Sequence, residues 1–431
     1  MGIRRRRPAV LVGMGETAGY MTQLVAGFRG VGVRADFLNL ADDPFAYDAG
    51  SRPRWTFRLA RWLAIRNADR RQPRPMWAGL YTAVMAALFI GSILRYDAFV
   101  FRAGNSFFRL HDLALLRLLG KRVIVVFFGS DSRPSYMNGW EVARGFVGHK
   151  AVSATAAKRH MVARTERHAS AIVCHALTAQ LHRRRAVAFL EMGFPHPVEA
   201  RADAPASGVS RRPVRVFHAP SNPASKGTQA IRDAVDALRA EGADLELVVI
   251  SGRPNSEVLE AIRACDFVVD ELYSDSPMAG FAVEAGALGR SAIVGGYGWD
   301  ELRRVTRPEV LPPTHLCHPD GIADAIRVLA SDESYRADLG ARARRWVEEN
   351  WSPEAVALRY LALLEGRQPE GGAFDPAAVA YAHGTGIAED GLAAVVRSVL
   401  EAAGPAGLCV ADKPQLEQRL VALAASRASP C

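Results

Sequence analysis

The chain has 431 residues, a formal charge of +9, and is 49% hydrophobic and 23% charged, a balance that excludes global disorder and is ordinary for a soluble α/β protein. Its length exceeds the size at which single cores usually stop growing, so two domains plus an appendage are expected. The positive excess suits anionic partners, whether nucleotide phosphates, an anionic membrane face or nucleic acid, and does not choose among them.

The N-terminal MGIRRRR is basic, but the apolar run behind it is only about four residues before glycine and acid intervene, too short for a secretory core. Cys174, Cys265, Cys317, Cys409 and Cys431 are scattered singly, with no spacing that wraps a metal. A reduced, cytoplasmic setting is the expectation. Ala9 to Gly13 reads as a strand, a glycine turn follows, and Tyr20, Leu24, Val25 and Phe28 recur at helical spacing. RADFLNL then completes a βαβ start. Gly13 and Gly15 would let backbone approach a diphosphate, although a plain tight turn explains them equally.

From Arg52 to Trp77, arginines alternate with aromatic and aliphatic residues. Trp55, Leu59, Trp62 and Leu63 fall on one helical face, with Arg54, Arg58 and Arg61 together on another. Two readings stay open: a helix resting on anionic lipid, or a surface helix packed on its own domain with solvated arginines. No nucleic-acid module surrounds the run, so nucleic acid is not an expected partner. Trp77 to Leu94 is apolar over a length of roughly 27 Å as a helix, near the lower limit for spanning a bilayer. A crossing there would separate strands of one sheet, so a buried helix is expected.

RYDAFVFRAGNSFF and LLRLLGKRVIVVFFGSDSRP predict strand, helix and strand, and the loop after the second strand carries Asp131 and Arg133. Loops at the carboxyl ends of parallel strands face the ligand crevice in doubly wound folds, which makes both residues site candidates. Ala171 to Cys174 is a further strand, and VEARADAPASGVSRRP reads as an interdomain linker. The second half opens with VRVFHAPSNPASKGTQAIRDAV: a strand, a loop, and Lys226 before a helix, an anion-binding construction without Walker A spacing.

After LELVVISG and SEVLEAIRAC comes DFVVDELYSDSPMAGFAVEAGALG. Here a strand ends in a polar loop and enters an Ala-rich helix, whose first N–H groups and dipole form a phosphate seat. Glu284 lies one turn inside, where its carboxylate can accept from the vicinal hydroxyls of a ribose. The plainer alternative is a buried βα unit whose glutamate caps something local. IADAIRVLASDESYRADLGARARRWVEENW and SPEAVALRYLALLEG predict amphipathic helices, GRQPEGGAFDP a flexible joint, and the remainder to Cys431 a helical tail.

The order HAPSNPASKGT, ACDFVVDEL, GFAVEAGALGRSAIV and WVEENW over Val214 to Trp351 resembles the retaining family 4 type of GT-B glycosyltransferase, with a looser match through RYDAFVFRAGNSF and LGKRVIVVFFGSDSR. The resemblance implies an α/β fold of two Rossmann-like doubly wound domains with a cleft between them, plus a helical C-terminal extension. The corresponding boundaries are 1–198 for the acceptor-side domain, 199–213 for the linker, 214–350 for the nucleotide-sugar domain, 351–366 for a closing helix and 367–431 for the extension.

The resemblance further implies that Lys226 pairs with a donor diphosphate, Glu284 binds a ribose, and Gly280, Phe281 and Ala282 offer N–H groups. Ser221 and Asn222 would assist at the phosphate, Gly252 and Arg253 would stand near the base, and Gly15 would face the diphosphate from the other domain. Lys226, Glu284 and Asp131 form the candidate catalytic set, with an acceptor entering near Gly13 to Thr17, Asn105 and Asp131. The donor would be a UDP- or GDP-sugar, with no further cofactor and no metal. The acceptor class stays open among lipid, polysaccharide and small natural product, and reversible contact with the inner face of an anionic membrane is a further expectation. Three positions depart from the family: Ser276 where a glutamate is usual, Pro220 in place of an arginine, and Phe128 in place of a histidine. Their joint departure leaves a catalytically degenerate binding scaffold as the alternative.

Overall fold

The computed structural model describes residues 7–41, 54–68, 75–198 and 213–426, so the expected linker lies almost wholly outside the described residues. The first sheet is built from β1 (Val10–Met14), β2 (Ala35–Asn39), β3 (Ala98–Arg102), β4 (Arg122–Val126), β5 (Ala171–Cys174) and β6 (Ala186–Ala188). The second holds β7 (Val214–His218), β8 (Leu245–Val249), β9 (Phe267–Val269), β10 (Ser291–Gly295) and β11 (His315–Cys317). A last strand, β12 (Ala373–Phe374), returns to the first sheet. The spatial orders are β12-β6-β5-β4-β3-β1-β2 and β11-β10-β9-β7-β8. Every pairing is parallel except β12 against β6.

The strands are near-continuous apolar runs because helices cover both faces of each sheet. Val10, Val12, Val100 and Ile124 enter one cluster, while Leu11, Phe99, Phe101, Val123 and Val125 enter the cluster on the opposite face. One segment belongs elsewhere than the sequence suggests, and the tail, helical as expected, has a definite seat. GRQPEGGAFDP contains β12, whose Ala373 and Phe374 pair with Val187 and Ala186, so the expected joint closes the edge of the first sheet. The tail forms helices Glu389–Ala403 and Pro414–Ser426 over a small core shared with Tyr136, Met137 and Ala151 of the first unit.

The basic helix Trp55–Ala68 turns Phe57, Ala60 and Leu63 inward, so Leu63 does not share the outer face with Trp55, Leu59 and Trp62. The helix Pro75–Arg95 corrects the expectation of burial. By length and composition Trp77–Arg95 suffices to cross a membrane, yet only 17% of it is buried. Met85, Phe89 and Ser92 alone form its fully buried stripe, while Ile90 and Leu94 are 61% and 84% exposed. An all-round apolar helix carries no periodicity that marks which stripe meets the core, so its sequence cannot report how much stays outside.

The helix Pro353–Leu364 leaves the second unit and packs against Tyr20–Gly30 of the first. Pro353 opens it at a position where its missing N–H costs nothing. Buried Tyr360 Oη lies 2.8 Å from Tyr20 Oη, and Tyr20 donates to the Gly193 carbonyl. Gly27 permits the approach, because a Cβ there would stand 1.9 Å from the Pro353 carbonyl oxygen. Helix propensity favours alanine over glycine by about 1 kcal/mol, but overpacking against backbone costs about 1–3 kcal/mol and outweighs it. Gly27→Ala is therefore expected to lower the melting temperature. Gly91→Ala, on an exposed helix with nothing within 4 Å, is expected to raise it slightly. Differential scanning calorimetry of the two variants checks the opposite signs.

Candidate functional site

β7, β8 and β9 are neighbours, and the loops leaving their carboxyl ends converge. They enclose a cavity of about 290 Å³ that Ala18 of the first unit closes from across the cleft. The β7 loop contributes Ser221 and Lys226, the β8 loop Gly252 and Arg253, and the turn and helix after β9 contribute Gly280, Phe281 and Glu284. The sequence-derived candidates are thus largely brought together at one place. Gly280 also lets the units meet, since a Cβ there would lie 3.2 Å from Ala18 Cβ.

The helix Gly280–Ala287 points its N-terminus at the cavity. Its first N–H groups have no intrahelical partner by construction. Ala282 is buried and does not line the cavity, which leaves Gly280 and Phe281 as the facing groups of the predicted trio. Glu284 Oε1 accepts from Asn255 Nδ2 at 2.7 Å. Asn255 begins the helix Asn255–Ala264 and also lines the cavity. Sequence reasoning passed over it; its signal was its place just beyond Gly252-Arg253-Pro254, at the start of a helix.

Lys226 Nζ sits 2.8 Å from Glu271 Oε2 and 3.4 Å from Asp270 Oδ1, with the lysine side chain 21% exposed. Burial works against its charge, but the Glu271 and Asp270 carboxylates outweigh burial and hold its pKa above the ordinary lysine range. Asn222 does not line the cavity: its Oδ1 accepts from Ser225 N–H and its carbonyl from Lys226 N–H, so it shapes the loop behind the lysine. Pro220 lines the cavity, and its carbonyl accepts from the Ser251 hydroxyl at 2.7 Å.

Asp131 and Gly15 belong to a separate cluster on the first unit and do not line the cavity. Asp131 pairs with Arg102 at 3.8 Å and accepts from Phe128 N–H, while burial raises its pKa. A Cβ on Gly15 would lie 3.9 Å from both Arg102 and Asn105, so these residues share one place. Gly13 serves packing, because a Cβ there would stand 2.7 Å from the Leu38 carbonyl oxygen. The first turn of helix Tyr20–Gly30 is already occupied by Glu16, whose carboxylate accepts from the N–H groups of Met21 and Thr22 at 3.0 Å.

Arg133, buried at the junction, donates to Asp275 of the second unit, and burial lowers its pKa to about 10. Ser276, also buried, donates its N–H to Ser274 Oγ. Phe128 packs edge-on against Tyr20 at 5.0 Å. Among the described residues no group of three or more His, Cys, Asp or Glu is placed to hold a metal ion.

No family model and no curated protein matches this sequence. Among solved structures, Anabaena Alr3699/HepE in complex with UDP-glucose aligns at TM-score 0.52 and 14% identity, covering 83% of this chain and 100% of that one. The same protein in complex with UDP and glucose aligns at TM-score 0.50 and 12% identity, covering 83% and 99%. The likeness is one of fold: two facing parallel-sheet α/β units form a GT-B architecture.

His218 at the end of β7 holds the lysine loop to its neighbours. Its Nδ1–H donates to the Val269 carbonyl at 2.8 Å, and Nε2 accepts from the Thr228 hydroxyl at 2.9 Å. Burial depresses its pKa from 6.5 to about 4. The folded state therefore favours neutral imidazole, a contribution complete above pH 6.5 and lost as pH falls toward 4. The shift corresponds to about 3 kcal/mol. Thermal stability is expected to fall through that window, and His218→Gln, which does not titrate, to remove part of the fall. Melting curves of both proteins from pH 7 to 4 test it.

Proposed function

We propose that the chain is a glycosyltransferase that moves a sugar from a UDP- or GDP-sugar to an acceptor, with retention at the anomeric carbon and without a metal ion. The observation that carries this reading is the single cavity that gathers Lys226, Glu284 and the start of helix Gly280–Ala287 at the ends of adjacent parallel strands. The UDP-glucose held by Alr3699/HepE has the chemistry this cavity suits.

In this reading the bond between the anomeric carbon and the diphosphate oxygen breaks, and a nucleoside diphosphate leaves with added negative charge. Lys226 and the N–H groups of Gly280 and Phe281 stabilise that charge where water is partly excluded. Glu284 receives the ribose hydroxyls, with Asn255 fixing its carboxylate, and Arg253 flanks the base. The cluster of Gly15, Asn105 and Asp131 is the acceptor-side counterpart. Retention rests on the resemblance to family 4 enzymes.

The second reading, a binding scaffold without turnover, is favoured by the two carboxylates that already engage Lys226, together with Ser276, Pro220 and Phe128. Calorimetric titration with UDP and GDP separates the cases. At least one nucleotide is expected to bind, and Lys226→Ala or Glu284→Ala to weaken it roughly 10- to 100-fold by removing a charged hydrogen-bond partner. Undiminished binding in both variants would sink the assigned site. Silence with every nucleoside diphosphate would favour the scaffold. Donor turnover followed by mass spectrometry in excess EDTA is expected to persist, and its loss would remove metal independence.

A further inference from the structure

The flank of the first unit is unlike the rest of the surface. Helix Trp55–Ala68 buries only one stripe and turns Trp55, Leu59 and Trp62 outward at 69%, 39% and 43% exposure. Arg58 and Arg66 are exposed on the same arc, and the Arg66 guanidinium stands 4.4 Å from the Trp62 ring centre and 5.7 Å from that of Trp77. The neighbouring helix Pro75–Arg95 exposes Ile90 and Leu94. On helix Leu113–Leu118, Leu118 is 82% exposed. Lys121 just beyond it donates to the Tyr96 carbonyl at 2.8 Å, and Arg122 N–H reaches the Asp97 carbonyl. These bonds tie the segment after that helix to the end of helix Pro75–Arg95.

We propose that this face docks reversibly on the surface of an anionic lipid bilayer, lying on it and not crossing it. Tryptophan rings favour the headgroup level, aliphatic side chains the boundary beneath it, and guanidinium groups reach lipid phosphates; here all three alternate on one exposed arc. Arg95 adds to the basic rim, with the nearby Asp36 carboxylate engaged by Arg29 and Arg95 at 3.6 and 3.9 Å and by the Tyr96 hydroxyl. Crossing is excluded by Met85 and Phe89, which are committed to the core: the Phe89 ring lies 5.2 Å from Phe107 and 5.5 Å from Phe108. A second copy of the chain would bring arginines against arginines. An anionic bilayer complements both the charge and the apolar area.

The test is cosedimentation of the full chain with vesicles of phosphatidylcholine containing phosphatidylglycerol, against vesicles of phosphatidylcholine alone. Binding is expected only to the anionic vesicles at low salt, and to weaken as salt is raised. Arg58→Gln with Arg66→Gln is expected to weaken it roughly tenfold or more, and Trp62→Ser with Leu94→Ser to do likewise. All four side chains are exposed and melting curves verify the fold. Absence of binding at low salt, equal binding to both vesicle types, or unchanged binding in both double variants overturns the proposal. So does concentration-dependent self-association in ultracentrifugation that the Trp62/Leu94 variant abolishes while no vesicle binding is seen, since the face would then belong to a second copy.

Discussion

A guanidinium buried between the two units fixes how they meet. Arg133 leaves the β4 loop of the first unit and donates to Asp275 in the β9 loop of the second, with both side chains nearly out of water. Removing two charges from solvent is expensive, and such a pair rarely adds net stability over an apolar contact. What it does is penalise other arrangements, because a shift that separates the partners leaves each charge buried alone. The cost falls on the loop that leads into helix Gly280–Ala287, so this contact couples the geometry of the cavity to the registration of the units.

The C-terminal tail supports the same junction by a different route. Its core rests on the first unit, with Tyr136 donating to the Leu408 carbonyl and Lys413 to the His182 carbonyl. On the other side Gly386 N–H donates to the Tyr273 carbonyl and Arg419 pairs with Glu301, both in the second unit. With helix Pro353–Leu364 also crossing between units, the chain passes over the cleft more than once. Any opening of the cleft has to act against these contacts as well as against Arg133.

Much of this was readable from the sequence, for a definite reason. Strands buried on both faces read as short apolar runs, and a run ending in a polar loop before a helix marks the carboxyl edge of the sheet; Lys226 and Glu284, singled out by that rule, and Gly252 and Gly280, implied by the family resemblance, line one cavity. What was not readable depends on contacts between distant segments. Nothing in Ala373 and Phe374 announces an antiparallel partner in β6, and nothing in Lys226 announces that Asp270 and Glu271 will engage it. Asn222 was assigned to a ligand because its position suits one, whereas its side-chain oxygen and carbonyl hold its own loop. Asp131, expected on the acceptor side from its strand end, lies on the first unit beside Gly15 and Asn105, and its pairing with Arg102 could not be read from the sequence.

Net charge illustrates the same difference in scale. The formal charge of +9 suggests attraction for anions in general, but the cavity and its loops carry Asp270, Glu271, Asp275 and Glu284 beside Lys226, Arg133 and Arg253. Charges of both signs stand around it, with Lys226, Arg253 and Glu284 lining the cavity, so the overall charge does not describe it. In the proposed reading, attraction comes from backbone N–H groups at a helix start and from a lysine that exchanges part of its contact with Glu271 for contact with the ligand. The positive excess is felt elsewhere, on the arginine-rich flank of the first unit, where exposed tryptophan and leucine give it a surface to act with. The sheet directs its carboxyl ends toward the cleft, whereas Tyr96, Asp97, Lys121 and Arg122 lie at the opposite ends of β3 and β4.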